Sequence, residues 1–266
     1  MKSRRSFSIR QLSLRTVAIP CSLLLALILG VGGLLAEEPA LTGDRVPTKD
    51  GDLIIHPVNH ATLVLGWKNI VVYVDSVGGA QRFAGLPGPN LIVVTDIHGD
   101  HLNGGTLKAV AGEKTSIIVP AAVASDAGMP EELRSHLIIL NNGESKEIQG
   151  VNVEAVPMYN LTPARAKFHT KGRGNGYVLT FGDKRVYLSG DTEDIPEMRA
   201  LKNIDVAFVC MNLPYTMTVD QAASAVREFR PKIVYPYHYR GSDLDKFKTL
   251  VGESSGVEVR LRDWYK

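Results

Sequence analysis

Cysteine is scarce, with Cys21 and Cys210 the only thiols in 266 residues. That excludes a disulfide-dense scaffold and a zinc site built from four cysteines. A surplus of one charge is also missing. Against 30 Lys and Arg stand 28 Asp and Glu, a formal net charge of +2, which excludes a strongly basic nucleic-acid-binding domain. The chain shows neither a low-complexity segment nor an evident internal repeat, and no Gly-Lys-Ser/Thr opens a helix as a P-loop requires. What is present is an ordinary globular composition, 44% apolar and 22% charged, in a chain long enough to bury one large core.

The net charge is unevenly placed. Residues 1–36 carry Lys2, Arg4, Arg5, Arg10 and Arg15 and no acid, followed by an apolar stretch over 17–36 that ends on Ala36 before Glu37-Glu38-Pro39. This order reads as a signal peptide for export. Ser3-Arg4-Arg5-Ser6-Phe7 is similar to a twin-arginine signal, with a general secretory signal as the alternative. Cleavage leaves 230 residues, 25 basic against 28 acidic, all seven histidines and Cys210 alone. An uncleaved segment would instead anchor the chain through residues 17–36. The expected compartment is periplasmic or extracellular.

Residues 37–52 are polar and read as a linker, with a single domain over 53–266. Within it, β-type runs are expected at 53–56, 61–66, 70–74, 91–95, 116–119, 137–140, 151–157, 176–181, 185–189, 206–210, 233–237 and 257–261. Helices are expected at 103–111, 121–127, 221–229 and 244–250. The third is marked by Thr218 with Gln221 as a capping box and by Pro231 as a stop. A dozen strands with helices between them make an α/β sandwich.

The chemistry concentrates in Thr95-Asp96-Ile97-His98-Gly99-Asp100-His101, directly after a strand buried on both faces. Four imidazoles and carboxylates within six residues, where the chain is free to curl, suit zinc, iron or manganese. Gly99 is expected where the backbone passes close to the ions. Separately, the loop Phe168-His169-Thr170-Lys171-Gly172-Arg173-Gly174-Asn175-Gly176 offers three glycines and two cations for an anionic ligand. A solvated basic turn is the alternative.

The 95–101 segment resembles the His-x-His-x-Asp-His signature of the metallo-β-lactamase superfamily, with Asp96 at the first His position. Other landmarks follow in order: Tyr73-Val74-Asp75 before it, then Leu188-Ser189-Gly190-Asp191-Thr192 and Tyr235-Pro236-Tyr237-His238. Asn59-His60-Ala61-Thr62 resembles an element of the lactonase-like branch that includes L-ascorbate-6-phosphate lactonase. The resemblance spans roughly residues 53–240. It implies an αββα sandwich of two mixed β-sheets flanked by helices, with one or two divalent metal ions at one edge. One ion would be held by Asp96 and His98, the other by Asp100, His101 and His238, with Asp191 bridging. It further implies an exported hydrolase that uses a metal-held hydroxide on an ester, lactone, amide or phosphoester of a small substrate, with Asp100 and Asp191 in the catalytic centre. Asp75 would support the metal-binding loop from behind. His60, in an alternating strand, would face the metals; Lys171, Asn175, Tyr239 and Arg240 would contact or support the substrate.

Two departures matter. Asp96 makes the first site harder and more anionic, which shifts preference from zinc towards manganese or iron. No His ends the 151–158 strand, where the family supplies a ligand. Asn160 through its amide oxygen and His169 from the following loop are the candidate replacements, and His169 is equally a candidate for substrate contact. An iron-dependent oxidoreductase on the same fold and a binding module with a decayed site are the rival readings. Cys210 is expected to be a buried, inert thiol. Nucleic acid is not an expected partner; oligomeric state, substrate and metal identity are not legible.

Overall fold

The computed structural model describes residues 40–265; the signal peptide expected over 1–36 lies outside the described residues. Two seven-stranded mixed sheets face one another. The first runs in spatial order β1 (Asp44–Thr48), β2 (Gly51–Asn59), β3 (Thr62–Trp67), β4 (Ile70–Val74), β5 (Leu91–Val93), β6 (Ser116–Val119), β7 (Leu137–Ile139). The second contains β8 (Ser145–Ile148), β9 (Val151–Met158), β10 (Gly174–Phe181), β11 (Lys184–Leu188), β12 (Val206–Cys210), β13 (Ile233–Tyr237) and β14 (Glu258–Val259), again adjacent in chain order.

The halves share one topology that their residues do not reveal. In each, four strands pair antiparallel and three more follow in parallel: β1 to β4 then β5 to β7, and β8 to β11 then β12 to β14. Hairpins need only short turns, such as Lys68 (φ 54°) between β3 and β4 and Gly182 (φ 62°) between β10 and β11. Parallel pairs need longer crossovers, and these carry helices: α1 (Gly104–Val110), α2 (Ala121–Ser125), α4 (Pro196–Arg199), α5 (Val219–Phe229) and α6 (Leu244–Val251), while α3 (Pro163–Ala166) sits in the β9–β10 connection.

Alternation along the strands fills the layers. On β6, Ile118 joins the core between the sheets with Leu53, Leu63, Val93, Leu179 and Phe208, while Ile117 joins a separate cluster with Leu107 and Val123 of α1 and α2. α5 begins at the expected capping box and buries Ala222, Ala223, Val226 and Phe229. Phe229 meets Tyr187 of β11 edge to face at 6.0 Å. No helix among the described residues is long and apolar enough to cross a membrane.

Two strands, β1 and β8, were not expected from the sequence. The stretch 37–52 is not all linker: β1 lies within it and pairs with β2 over five residue positions, Asp44 opposite Ile55 to Thr48 opposite Gly51. Its short polar segment buries only Val46, so alternation gives little signal. β8, Ser145–Ile148, is likewise an exposed edge strand with only Ile148 buried.

Cys210 ends β12 fully buried, its thiol directed at the Thr192 carbonyl. Burial pushes that thiol up to about 12. At pH 8 the thiolate fraction is then about 10⁻⁴, and peptide mapping after brief alkylation of native protein should find Cys210 unmodified. Modification at the rate of the unfolded chain would show the site to be open.

Candidate metal centre

The side chains expected at the site meet at one edge of the two sheets, where strand ends release the chain. Asp75 follows β4, the 95–101 loop follows β5, Asp191 follows β11 and His238 follows β13. His60 occupies the β2–β3 turn and His169 the β9–β10 loop, the same topological place in the two halves. His60 is therefore not inside a strand, as its alternating neighbours suggested. His60 (φ 53°), Asp75 (φ 43°) and His238 (φ 45°) all adopt the left-handed backbone region. That conformation is unfavourable for residues with a Cβ and persists where surrounding structure enforces it.

The 95–101 loop is fixed from both sheets. Asn175 N–H donates to the Thr95 carbonyl at 2.9 Å, and His101 and Leu102 N–H both bond the His98 carbonyl, at 2.9 and 2.8 Å. This turn places His98 and His101 three residues apart and leads into α1, whose cap is Asn103. Gly99 does not approach the cluster closely: a Cβ there would meet no other atom within 4 Å.

Two donor sets result. Asp100, His101, Asp191 and His238 converge in one; Asp96, His98 and His169 converge in the other. Asp191 faces both, with Oδ2 3.3 Å from His101 Nε2 and 3.3 Å from His169 Nε2, and Oδ1 3.2 Å from His238 Nε2. The loop thus brings His169 to the position left open after β9. Buried Glu193 holds this loop by accepting from Leu161 and Thr162 N–H at 2.6 Å each and pairing with Arg165. Asn160 directs its amide nitrogen at the Arg165 and Tyr215 carbonyls, at 3.0 and 2.7 Å, and at His169 Nδ1 at 3.2 Å, which leaves its amide oxygen buried without a hydrogen-bond partner.

The orientation of His101 follows from its partners. Burial pushes the Asp75 carboxyl up while His101 and Thr95 work against it; as a carboxylate it only accepts, so His101 Nδ1–H donates to Asp75 Oδ2 at 2.8 Å. The lone pair of Nε2 then points into the cluster, the arrangement a metal ligand needs. His101 Nε2, His169 Nε2, His238 Nε2 and Asp191 Oδ1 are all buried without a hydrogen-bond partner. A buried orphan of this kind costs about 1–3 kcal/mol, and here several converge. The residues present fit a divalent cation, and the chain is a divalent-metal-binding protein.

The electrostatics favour positive charge at this point, carried either by protons on the imidazoles or by a cation. Burial opposes the charge of Asp191, but facing His238 and His101 outweigh it and hold the carboxyl well below the usual range. Burial likewise opposes a charged His101, and the Asp191 and Asp75 carboxylates outweigh it and raise the imidazole. For Asp100, burial is overcome by the facing imidazoles of His238 and His60, which hold the carboxyl well below the usual range. His60 Nε2 lies 3.2 Å from Asp100 Oδ2 and its Nδ1 2.7 Å from the Tyr265 hydroxyl. With a neutral imidazole, only one proton arrangement serves both contacts: Tyr265 donates to Nδ1 and Nε2–H donates to Asp100.

Several expected substrate contacts lie elsewhere. Lys171 is exposed and paired with Glu197 at 2.7 Å, its ammonium 4.7 Å over the Tyr159 ring. Arg173 does not present its charge to a ligand: Nε and Nη2 clasp Asp96 at 3.0 and 2.7 Å, so the guanidinium offsets the additional carboxylate at this position. Asn175 is buried, with its amide on the Leu140 carbonyl and the Tyr177 hydroxyl at 2.8 and 3.2 Å. Tyr239 is bound through its hydroxyl to the Arg262 carbonyl at 3.1 Å. Arg240 does line a groove at the site. A cavity of about 310 Å³ over the donor sets is lined by His98, Asp100, Phe168, His169, Asp191, Tyr215 and His238. A larger cleft of about 780 Å³, lined by Ala40, Ile54, Gly66 and Pro89, contains none of these side chains.

Sequence reasoning missed Tyr265, Glu193 and Tyr215 and named Phe168 only as part of the 168–176 loop. Only Glu193 carried a signal, as the acid two residues after Asp191.

Comparison with known proteins agrees with this geometry. A UPF0173 metal-dependent hydrolase of Pyrococcus horikoshii is 31% identical over 216 residues, covering 76% of this chain and 93% of that relative. A crystal structure from Parabacteroides distasonis, named for assignment to the metal-dependent hydrolases, is 40% identical with a TM-score of 0.76, covering 85% of this chain and 100% of that one. CmlA, a diiron β-hydroxylase from Streptomyces venezuelae, shares the fold alone, at 20% identity and a TM-score of 0.61 over 85% of this chain and 54% of its own. The family described as the Beta-lactamase superfamily domain matches residues 73–239, and with the two donor sets built on that span, this chain belongs to the metallo-β-lactamase superfamily.

Proposed function

We infer that the chain is a metal-dependent hydrolase acting on an ester, lactone, amide or phosphoester of a small substrate. The observation that carries this reading is the convergence of unpartnered, buried imidazole nitrogens and a carboxylate oxygen in two adjoining donor sets. His98, His169 and Asp96 would hold one ion, Asp100, His101 and His238 the other, and Asp191 would serve both. When bound, such ions act as Lewis acids and acidify water towards neutrality, from about 15.7 to about 7 in the strongest cases. The chain's own contribution is orientation. Asp75 fixes the His101 tautomer, and Tyr265 and His60 turn Asp100 towards His238. Phe168 and Tyr215, edge to face at 5.1 Å, line the cavity.

The donors are nitrogen and oxygen only, which suits zinc, manganese or iron over soft-metal chemistry. Asp96 tilts the first set towards manganese or iron. Chelator-stripped protein reloaded with each ion should hydrolyse a generic panel of 4-nitrophenyl acetate, a simple lactone and bis(4-nitrophenyl) phosphate. At least one member should be turned over tenfold or more faster than by the stripped form. Iron-loaded protein that hydrolyses none of them but consumes oxygen would favour the second reading, an iron-dependent oxidoreductase, which the additional carboxylate and the CmlA-like fold support.

Export belongs to the same proposal and rests on the charge and hydropathy order of residues 1–36. Cell fractionation of the full chain tests it, with recovery in the cytoplasm as the contrary result.

A further inference from the structure

The cavity over the donor sets continues into a second groove through two shared residues, Asp100 and Tyr215. This groove, about 610 Å³, is further lined by Asn59, His60, Val77, Gly78, Gly99, Asn212, Leu213 and Arg240. Among the residues lining both spaces, Arg240 is the single Lys or Arg. The other two cations expected near a substrate are occupied, Lys171 by Glu197 and Arg173 by Asp96.

Arg240 differs from them. Its guanidinium has no hydrogen bond or acidic partner among the described residues, and its only recorded side-chain contact is with the Tyr265 ring, 5.2 Å from the centroid. Tyr265 is itself held through its hydroxyl on His60. A guanidinium stacked on a fixed aromatic ring keeps its fork of donors available while giving up part of its conformational freedom in advance. The same groove carries two open side chains with apolar surface: Leu213 and Tyr215 are 51% and 46% exposed. At Gly99 an added Cβ would find no neighbour within 4 Å, so the backbone leaves room there.

We propose that Arg240 is the specificity-determining residue of this site and that the substrate carries an oxyanion, a carboxylate or phosphate, on an apolar skeleton. The anion pairs with Arg240, the skeleton lies along Leu213 and Tyr215, and the scissile group reaches the donor sets past Asp100. The inference rests on the hydrolase reading and specifies the substrate class for that same site.

The test compares the wild type, Arg240→Gln and Arg240→Lys, all metal-loaded. The first arm measures kcat/KM for mono-4-nitrophenyl glutarate and for neutral 4-nitrophenyl acetate. The wild type should favour the anionic ester, and Arg240→Gln should lower the anionic-to-neutral ratio at least tenfold through KM, with Arg240→Lys intermediate. An unchanged ratio in Arg240→Gln overturns the proposal. The second arm measures binding of phenylphosphonate and of phenylacetate by calorimetry and needs no turnover. Arg240→Gln should weaken at least one of them tenfold or more, and the affected ligand identifies phosphate-like or carboxylate-like recognition. Equal binding by wild type and Arg240→Gln, or no binding of either by the wild type at millimolar concentration, overturns the proposal. Hydrolysis of neither ester with Arg240-dependent binding intact would instead count against the hydrolase reading alone.

Discussion

Asp191→Asn is expected to strip both donor sets of metal together. The two sets have separate histidines but one common carboxylate, whose Oδ2 lies 3.3 Å from both His101 Nε2 and His169 Nε2 and whose Oδ1 lies 3.2 Å from His238 Nε2. The amide keeps the volume, loses the charge and leaves a single acceptor oxygen. Loss of an outer-shell partner typically lowers metal affinity about 10–100-fold, so loss of a shared ligand should exceed about 100-fold at each set. Chelator competition with elemental analysis reads this directly. Because Asp191 Oδ1 has no hydrogen-bond partner within the protein, the fold should survive the change, and the circular dichroism spectrum should match the wild type. Retention of two ions per chain would show that Asp191 does not join the sets.

Asp75→Ala should produce the largest loss of stability at the site. Its carboxylate accepts from Thr95 N–H, the Thr95 hydroxyl and His101 Nδ1–H, all at 2.8 Å and all buried. Removal leaves the Thr95 N–H and hydroxyl without this acceptor and leaves His101 Nδ1 only the Thr95 Oγ1 at 2.9 Å, which frees the His101 tautomer. Breaking a buried pair by deleting one partner costs roughly 3–5 kcal/mol. For a domain of this size, each kcal/mol moves Tm by about 2–4 °C, so a fall of about 10 °C follows. Metal affinity should also drop about 10–100-fold, as for an outer-shell partner. A Tm within 2 °C of the wild type by calorimetry, as a rough bound on one kcal/mol, would show that other groups satisfy the Thr95–His101 donors.

What the sequence made legible was the part written in local pattern. β12 and β13 occur at their expected bounds because apolar runs buried on both faces end at clear punctuation. The Asp96–His101 cluster was visible because its donors are neighbours in the chain. Contacts across the two halves were not. Arg173 reaches Asp96 over 77 positions and Tyr265 reaches His60 over 205. Nothing local distinguishes Arg173, bound to a buried carboxylate, from Lys171, two residues away and exposed. β1 escaped because Asp44-Arg45-Val46-Pro47-Thr48 has one buried apolar side chain and a proline, as suits a sheet edge. The repeated four-plus-three topology escaped because strand order leaves no trace in residue identity.

The central claim is that two donor sets share Asp191 and each takes a divalent ion. Elemental analysis of native protein, repeated after anaerobic reloading of stripped protein, tests it most directly. The account predicts two ions per chain after reloading, reduced in His238→Ala to the one held by Asp96, His98, His169 and Asp191. No bound metal in either preparation, or two retained ions in His238→Ala, would contradict it.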